Sequence, residues 1–377
     1  MKARGACGTK RHGLRLLAGF LLFCLAAAGT AGAGDLVYAS GFERPAQERG
    51  GSNYLWYRVA ACDREPYGVL ASYHLPVPGG ATTVRTLARQ QLAAMRAAGQ
   101  RRLSLGVHFY HGAGNGTLVD AADPAAVAQA ATNLGDLLAD VKAAGFVEVL
   151  FRFFPVDAIN PSQANFNPAL LDAYWHLVTA LRPVLHAADL AYRIDLMVEG
   201  APRDSNLPVP DPWKYPANRQ WSDAVRDLWQ RYVAAYGKAD TVGFSFLTDA
   251  DPARLRWRVR HMRFVYGGNY PYLFAADIYG TPHASETDRF VALDDAMRRE
   301  DPNGVLGWRD SGWIIAEGYY DDPLAAANLS SAIASTQRKV FYLTQWPWDR
   351  ADPACGPAPE VNVAPPEAWV VYGGYGF

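Results

Sequence analysis

Leu196-Met197-Val198-Glu199-Gly200 and Ile314-Ile315-Ala316-Glu317-Gly318 are the two stretches on which the reading of this chain turns. Each is a short apolar run closed by a glutamate and a glycine. Outward from them, similar runs recur along the chain at Gly68–Leu75, Arg102–Tyr110, Phe146–Val156, Tyr192–Glu199, Thr241–Asp249, Tyr272–Tyr279, Trp313–Glu317 and Val340–Trp346. Read as strands, they make eight, and the two glutamates close the fourth and the seventh.

The stretches between these runs carry helical spacing. Thr83–Ala98 and Ala125–Ala144 are rich in Ala and Leu, while Pro168–Ala188, Asp223–Tyr236, Ala253–Tyr266, Glu286–Arg299 and Asn328–Gln337 supply the other connections. Asp123-Pro124, Asn167-Pro168 and Asp251-Pro252 each place a capping side chain before a proline suited to the first helical position. Alternation of this kind predicts repeated βα units and a parallel sheet. An eighth helix is poorly defined, because 351–366 is proline-rich and only Glu367–Tyr372 remains for it.

Side-chain parity separates a closed barrel from an open sheet. Ile194, Leu196 and Val198 form an aliphatic face opposite Asp195, Met197 and Glu199, and Leu103, Leu105, Val107 and Phe109 oppose Ser104, Gly106 and His108. Val242, Phe244 and Phe246 oppose Gly243, Ser245 and Asp249 in the same way. An open doubly wound sheet buries both faces as nearly continuous apolar runs, whereas a closed barrel tolerates polar groups inside. The expected fold is therefore a (β/α)8 TIM barrel over residues 67–377, preceded by an irregular arm at 34–66.

Residues 1–33 read as a secretory signal. Five basic residues and no acidic one precede an apolar run from Leu16 to Ala28, and Ala31-Gly32-Ala33 follows as a cleavage site. Removing this segment takes five of 36 basic residues and none of 37 acidic ones, leaving a formal charge of −6. A mildly acidic chain with 12% aromatic residues does not suit nucleic acid and suits a neutral ring-shaped ligand better. Secretion or a periplasmic location is expected, without stable membrane insertion and as a monomer. Of four cysteines, Cys62 and Cys355 remain after cleavage, to form a disulfide in an oxidising compartment or to stay as free thiols.

The last inward residue of each predicted strand is His74, His108, Arg152, Glu199, Asp249, Asp277 with Tyr279 beyond it, Glu317 or Trp346. On the rim of a barrel each ionisable group costs desolvation unless it is paired or functional. Two convergent carboxylates there are the minimum equipment for cleaving a glycosidic bond. Arg152 is a partner for a carboxylate or a sugar hydroxyl, or else a structural partner of Glu148 or Asp195. His108 and His111 are three residues apart, but strands five to eight end without a histidine, so no metal and no cofactor are expected. Trp213, Tyr215, Trp221, Tyr319, Tyr320, Trp346 and Trp348 offer flat faces for sugar rings or for ordinary loop packing.

From about Tyr67 to Arg350 the layout resembles the clan of retaining (β/α)8-barrel glycoside hydrolases that contains many cellulases, mannanases and xylosidases, often called clan A. The resemblance implies that Glu199 at the end of strand four is the acid/base, and that Glu317 at the end of strand seven is the nucleophile. It also implies a supporting Tyr279 beside the nucleophile and a Trp346 beneath the sugar. One departure stands out: the clan usually has Asn before the acid/base glutamate, and this chain has Val198. The implied function is hydrolysis of a polysaccharide or oligosaccharide with retention. Its alternatives are a barrel that binds carbohydrate without turning it over, and an inverting enzyme whose acid is Asp249 or Asp277.

Overall fold

The computed structural model describes residues 50–54, 56–58, 69–77, 80–112, 118–163, 165–200, 216–320, 322–346, 360–362 and 366–377. The barrel strands are β1 Gly51–Asn53, β2 Arg102–Tyr110, β3 Glu148–Pro155, β4 Ala191–Asp195, β5 in two pieces at Thr241–Gly243 and Phe246–Leu247, β6 Leu273–Asp277, β7 Gly312–Tyr319 and β8 Val340–Trp346. Their helices are α1 Val84–Ala97, α2 Pro124–Ala143, α3 Leu171–Ala187, α4 Pro216–Tyr236, α5 Pro252–Tyr266, α6 Glu286–Glu300, α7 Ala325–Thr336 and α8 Trp369–Gly374.

The spatial order closes on itself. Starting from the first piece of β5, the neighbours run β4, β3, β2, β1, β8, β7 and β6, and end at the second piece of β5. All these pairings are parallel. Because the two ends of the path are two halves of one strand, the sheet is an eight-stranded barrel with no free edge, alternating with helices. A short antiparallel pair, Trp56–Arg58 with Glu360–Asn362, lies outside it. Among the described residues no helix is long and apolar enough to cross a membrane.

Two apolar layers hold the barrel. A small interior cluster of Leu150, Val242, Ala275, Ile314, Ala316 and Tyr342 fills the space inside the strands. A much larger one packs the outward faces, including Leu103, Leu105, Val107, Ile194, Leu196 and Phe244, against the helices. The expected caps are present: Asp123, Asn167 and Asp251 accept from the backbone N–H of Ala125, Ala169 and Ala253, and Ser285 with Asp288 forms a capping box at α6. A cap of this kind contributes about 1 kcal/mol. Asn167 caps a short 3-10 turn, Pro168–Leu170, that leads into α3.

Three expectations about the strands need correction. The run Gly68–Leu75 is not the first strand: the described part is a series of turns whose Val69, Leu70 and Tyr73 are buried in the outer core. Short apolar runs have no periodicity that distinguishes a strand from a buried turn. The first strand is Gly51–Asn53, from within the stretch read as an arm, and it pairs with β2 and β8. Ser52 there is tied to Gln100 and Gln345, and Asn53 donates to the Ala316 carbonyl at 2.8 Å, so polar contacts set its register.

Parity also fails locally in β5. Val242 faces the interior instead of the helices, because the backbone turns at Gly243, which has φ +71°. A Cβ at Gly243 would stand 2.4 Å from the Tyr266 hydroxyl oxygen, and that hydroxyl accepts the Phe244 N–H at 3.2 Å. The turn leaves Ser245 inward and Phe244 and Phe246 outward. The third correction concerns β4, which ends at Asp195, four residues before Glu199.

Candidate active site

Arg152 is the hub. From β3 its wholly buried guanidinium reaches three acids on three other strands. Nε donates to Asp195 at 3.0 Å, Nη2 donates to both oxygens of Asp277 at 3.0 and 2.9 Å, and Nη1 donates to Glu317 Oε1. Nη2 also reaches Ser245 Oγ at 3.2 Å. The second Glu317 oxygen accepts from the Tyr279 hydroxyl. Glu317 is therefore a strand residue gripped from both sides.

Glu199 comes to the same place by a different route. After Asp195 the chain turns, with the Val198 N–H bonded to the Phe153 carbonyl and the Gly200 N–H to that of Met197. Glu199 itself has φ +49°, a left-handed conformation uncommon for a residue with a side chain, and its N–H donates to Ser245 Oγ at 2.8 Å. One carboxylate oxygen from each of Glu199, Asp277 and Glu317 lies within 4.8 Å of the others. All three residues are buried.

One guanidinium among Asp195, Asp277 and Glu317 leaves an excess of acid among buried side chains. Burial, reinforced by Glu317 and Asp195, pushes the Asp277 carboxyl well above the usual range although Arg152 opposes it. Burial raises Asp195 as well, against Arg152 and hydrogen bonds from Ser245. For Arg152 burial works against its proton, but Asp277, Glu317 and Asp195 together outweigh that and hold it more firmly charged. Tyr279 is pushed well above its ordinary value by burial and then by Glu317 and Asp277, which keeps its hydroxyl a donor.

Aromatic rings line the same region. Trp346 clusters with Phe154 and Tyr279, and Tyr279 lies 4.6 Å from Tyr319 between ring centroids. His108 stacks on Phe154 at 4.3 Å. Burial, with the Arg152 charge nearby, pushes the His108 imidazole down to about 3. Unfolded, the same ring takes a proton near 6.5, so the unfolded chain binds more protons between these values and stability falls as pH drops from about 6.5 to 3. A His108→Phe variant should lose less stability than the parent over that interval in urea titrations, and an equal loss would count against this assignment.

Two predicted rim residues lie elsewhere. His74 sits in a turn, exposed, with Nε2 at 2.8 Å from Asp136 of α2. It was expected to end the first strand, and that strand is Gly51–Asn53. Asp249 lies two residues beyond β5 and pairs with Arg258 of α5 at 2.9 Å, while also accepting from the Asp251 N–H. Trp213, Tyr215, Trp348, the Cys62–Cys355 pair and the residues 1–33 signal lie outside the described residues.

Sequence parity places Ser245 inward without giving it a task, and gives Asp195 only the alternative task of a structural partner for Arg152, which the structure bears out. Asp195 accepts from Arg152 and from the Met197 and Ser245 N–H groups, and Phe154 supplies a ring two positions after Arg152. The three convergent carboxylates have the number and closeness of a metal site. However, both Asp277 oxygens and one of Glu317 are already engaged by Arg152, and a second cation there would face the guanidinium.

No protein-family model and no curated protein sequence matches the chain. Solved structures do. A family 5 xyloglucanase from Paenibacillus pabuli is 12% identical, covers 88% of this chain and 99% of its own, and has a TM-score of 0.49. A family 5 lichenase from a Caldicellulosiruptor species, solved with cellotetraose, is 13% identical over 92% of this chain and 96% of its own, with a TM-score of 0.49. D-psicose 3-epimerase from Clostridium cellulolyticum, solved with D-tagatose, is 11% identical over 74% and 84%, with a TM-score of 0.40.

Proposed function

We propose that this chain is a glycoside hydrolase acting on a polysaccharide or oligosaccharide with retention of anomeric configuration. The observation that carries the reading is the closeness of Glu199 and Glu317, each with an oxygen within 4.8 Å of the other's. That closeness fits the spacing of retaining enzymes, about 5–5.5 Å between carboxyl groups, better than the roughly 6.5–9.5 Å that an inverting enzyme needs for its water. The roles follow from the surroundings. Glu317, aimed by Arg152 and Tyr279, attacks the anomeric carbon while Glu199 gives its proton to the departing oxygen. Glu199 then takes a proton from water, which attacks the glycosyl ester and frees Glu317. Trp346 and the neighbouring rings offer a platform for the sugar. The leader-like residues 1–33 support export as part of the proposal.

Val198 favours a second reading, in which the barrel binds glycans without cleaving them. An apolar side chain at that position cannot hydrogen-bond a sugar hydroxyl. A polysaccharide panel followed by proton NMR of the first-formed product separates the readings. The proposal expects product of the same anomeric configuration as the substrate; inverted product overturns the mechanism, and binding without product establishes the second reading.

A further inference from the structure

We propose that Ser245 is a positioning residue that sets Glu199 against Glu317, an assignment that rests on the hydrolase reading above. Its wholly buried hydroxyl oxygen accepts two donors that belong to the two halves of the site. One is the Glu199 N–H at 2.8 Å, the other Arg152 Nη2 at 3.2 Å, on the guanidinium that grips Glu317. The first contact fixes the peptide plane leading into Glu199, whose φ of +49° side chains rarely adopt unless their surroundings hold it. With that plane fixed, the direction of the Glu199 side chain is fixed too.

The interruption in β5 exists in the right place for this task. The backbone turns at Gly243, the two pieces of β5 go on to pair with β4 and β6, and the residue between them that points inward is Ser245. Its own N–H is anchored on Asp195 at 3.1 Å, and Asp195 also holds Arg152. One hydroxyl thus joins the turn after strand four to the cation bound to strand seven. The Ser245 hydroxyl is not placed to touch the reacting bond itself; it acts through Glu199.

Ser245→Ala deletes the acceptor and little volume. If it misplaces the acid/base, cleavage of a natural glycan, whose leaving group needs the proton, should fall on the order of 10- to 100-fold in kcat with KM little changed. For a dinitrophenyl glycoside, which departs without a proton, kcat/KM, which reports formation of the glycosyl ester, should change less than about 3-fold, while kcat falls because hydrolysis of that ester still needs Glu199 as its base. Ser245→Thr keeps the oxygen and should recover most of the loss, and in a Glu199→Ala background Ser245→Ala should cost nothing further. Should Ser245→Ala fail to fold, Ser245→Cys keeps the bulk with a poor acceptor and carries the same test. Equal losses in kcat/KM on both substrates, or full additivity with Glu199→Ala, overturn the assignment alone. A parent that cleaves no glycoside overturns the hydrolase reading and this one with it.

Discussion

Glu317→Gln should lower turnover on any substrate that the parent cleaves by about 10³-fold or more, while ligand affinity survives. The substitution changes hardly any volume, keeps an oxygen for Arg152 to hold and turns an amide N–H towards the Tyr279 hydroxyl, which can accept it, so the pocket stays formed. What it removes is the carboxylate that forms the bond to the anomeric carbon. Glu199→Ala should behave differently, with a large loss in kcat/KM on natural glycans and a small one in kcat/KM on activated aryl glycosides, whose departure needs no proton, while kcat on the activated substrate falls because the glycosyl ester has lost its base. In that variant azide should reach the glycosyl ester through the vacated space and restore turnover with retained configuration. Kinetics of both variants on a natural and an activated substrate decide the point: near-parental activity throughout would mean that the reacting carboxylates lie elsewhere.

Arg152→Met should destabilise the fold by about 3–5 kcal/mol or more, since removing one partner of a buried ion pair strands the other. Here three acids, Asp195, Asp277 and Glu317, lose the same cation. Against a total stability of roughly 5–15 kcal/mol this is enough to unfold a marginal chain. Its pH dependence has a definite sign. Asp195 and Asp277 already sit above their ordinary values, and without Arg152 they rise further. A carboxyl raised in the folded state favours folding where it is protonated and loses that contribution as pH rises through its folded value. The deficit of Arg152→Met relative to the parent should therefore widen from acid towards neutral pH in urea melts. Arg152→Lys keeps the charge without the planar fork, and should fold while losing activity. A deficit that stays constant with pH would remove Arg152 from the centre of this account.

The parts of the fold that sequence made legible are those where period and burial agree. Arg102–Tyr110 and Val340–Trp346 are long alternating runs, and both are strands with those limits. The capped helices starting at Pro124 and Pro252 are equally plain, because each cap is a local interaction between neighbours in sequence. Gly51–Asn53 carried no such signal: three small or polar residues have no hydrophobic face, and their place in the barrel is decided by partners about 50 and 290 residues away. Misplacing that strand is what misplaced His74.

At the site, Arg152 and Asp277 follow from parity, since each stands on a regular strand, whereas Glu317 faces inward beside Ala316 after a register shift in β7. Glu199 reached the same pocket through a left-handed turn beyond the end of β4, which an alternating pattern does not describe. Asp249 went to Arg258 for a related reason, as β5 breaks at Gly243 and ends at Leu247. Hydrogen-bond partners across the barrel, above all those of Ser245, belong to the closed sheet and have no counterpart in local sequence.

The central claim is that Glu317 becomes covalently attached to the sugar, and trapping tests it directly. A panel of 2-deoxy-2-fluoro glycosides with good leaving groups slows hydrolysis of the glycosyl ester more than it slows departure of that group, so the intermediate should accumulate on a retaining enzyme. Mass spectrometry of the protein and its peptides should then show one added glycosyl unit on the peptide containing Glu317, and none on Glu317→Gln. A label on another residue, or no label from a sugar whose natural glycoside the chain hydrolyses, would contradict the account.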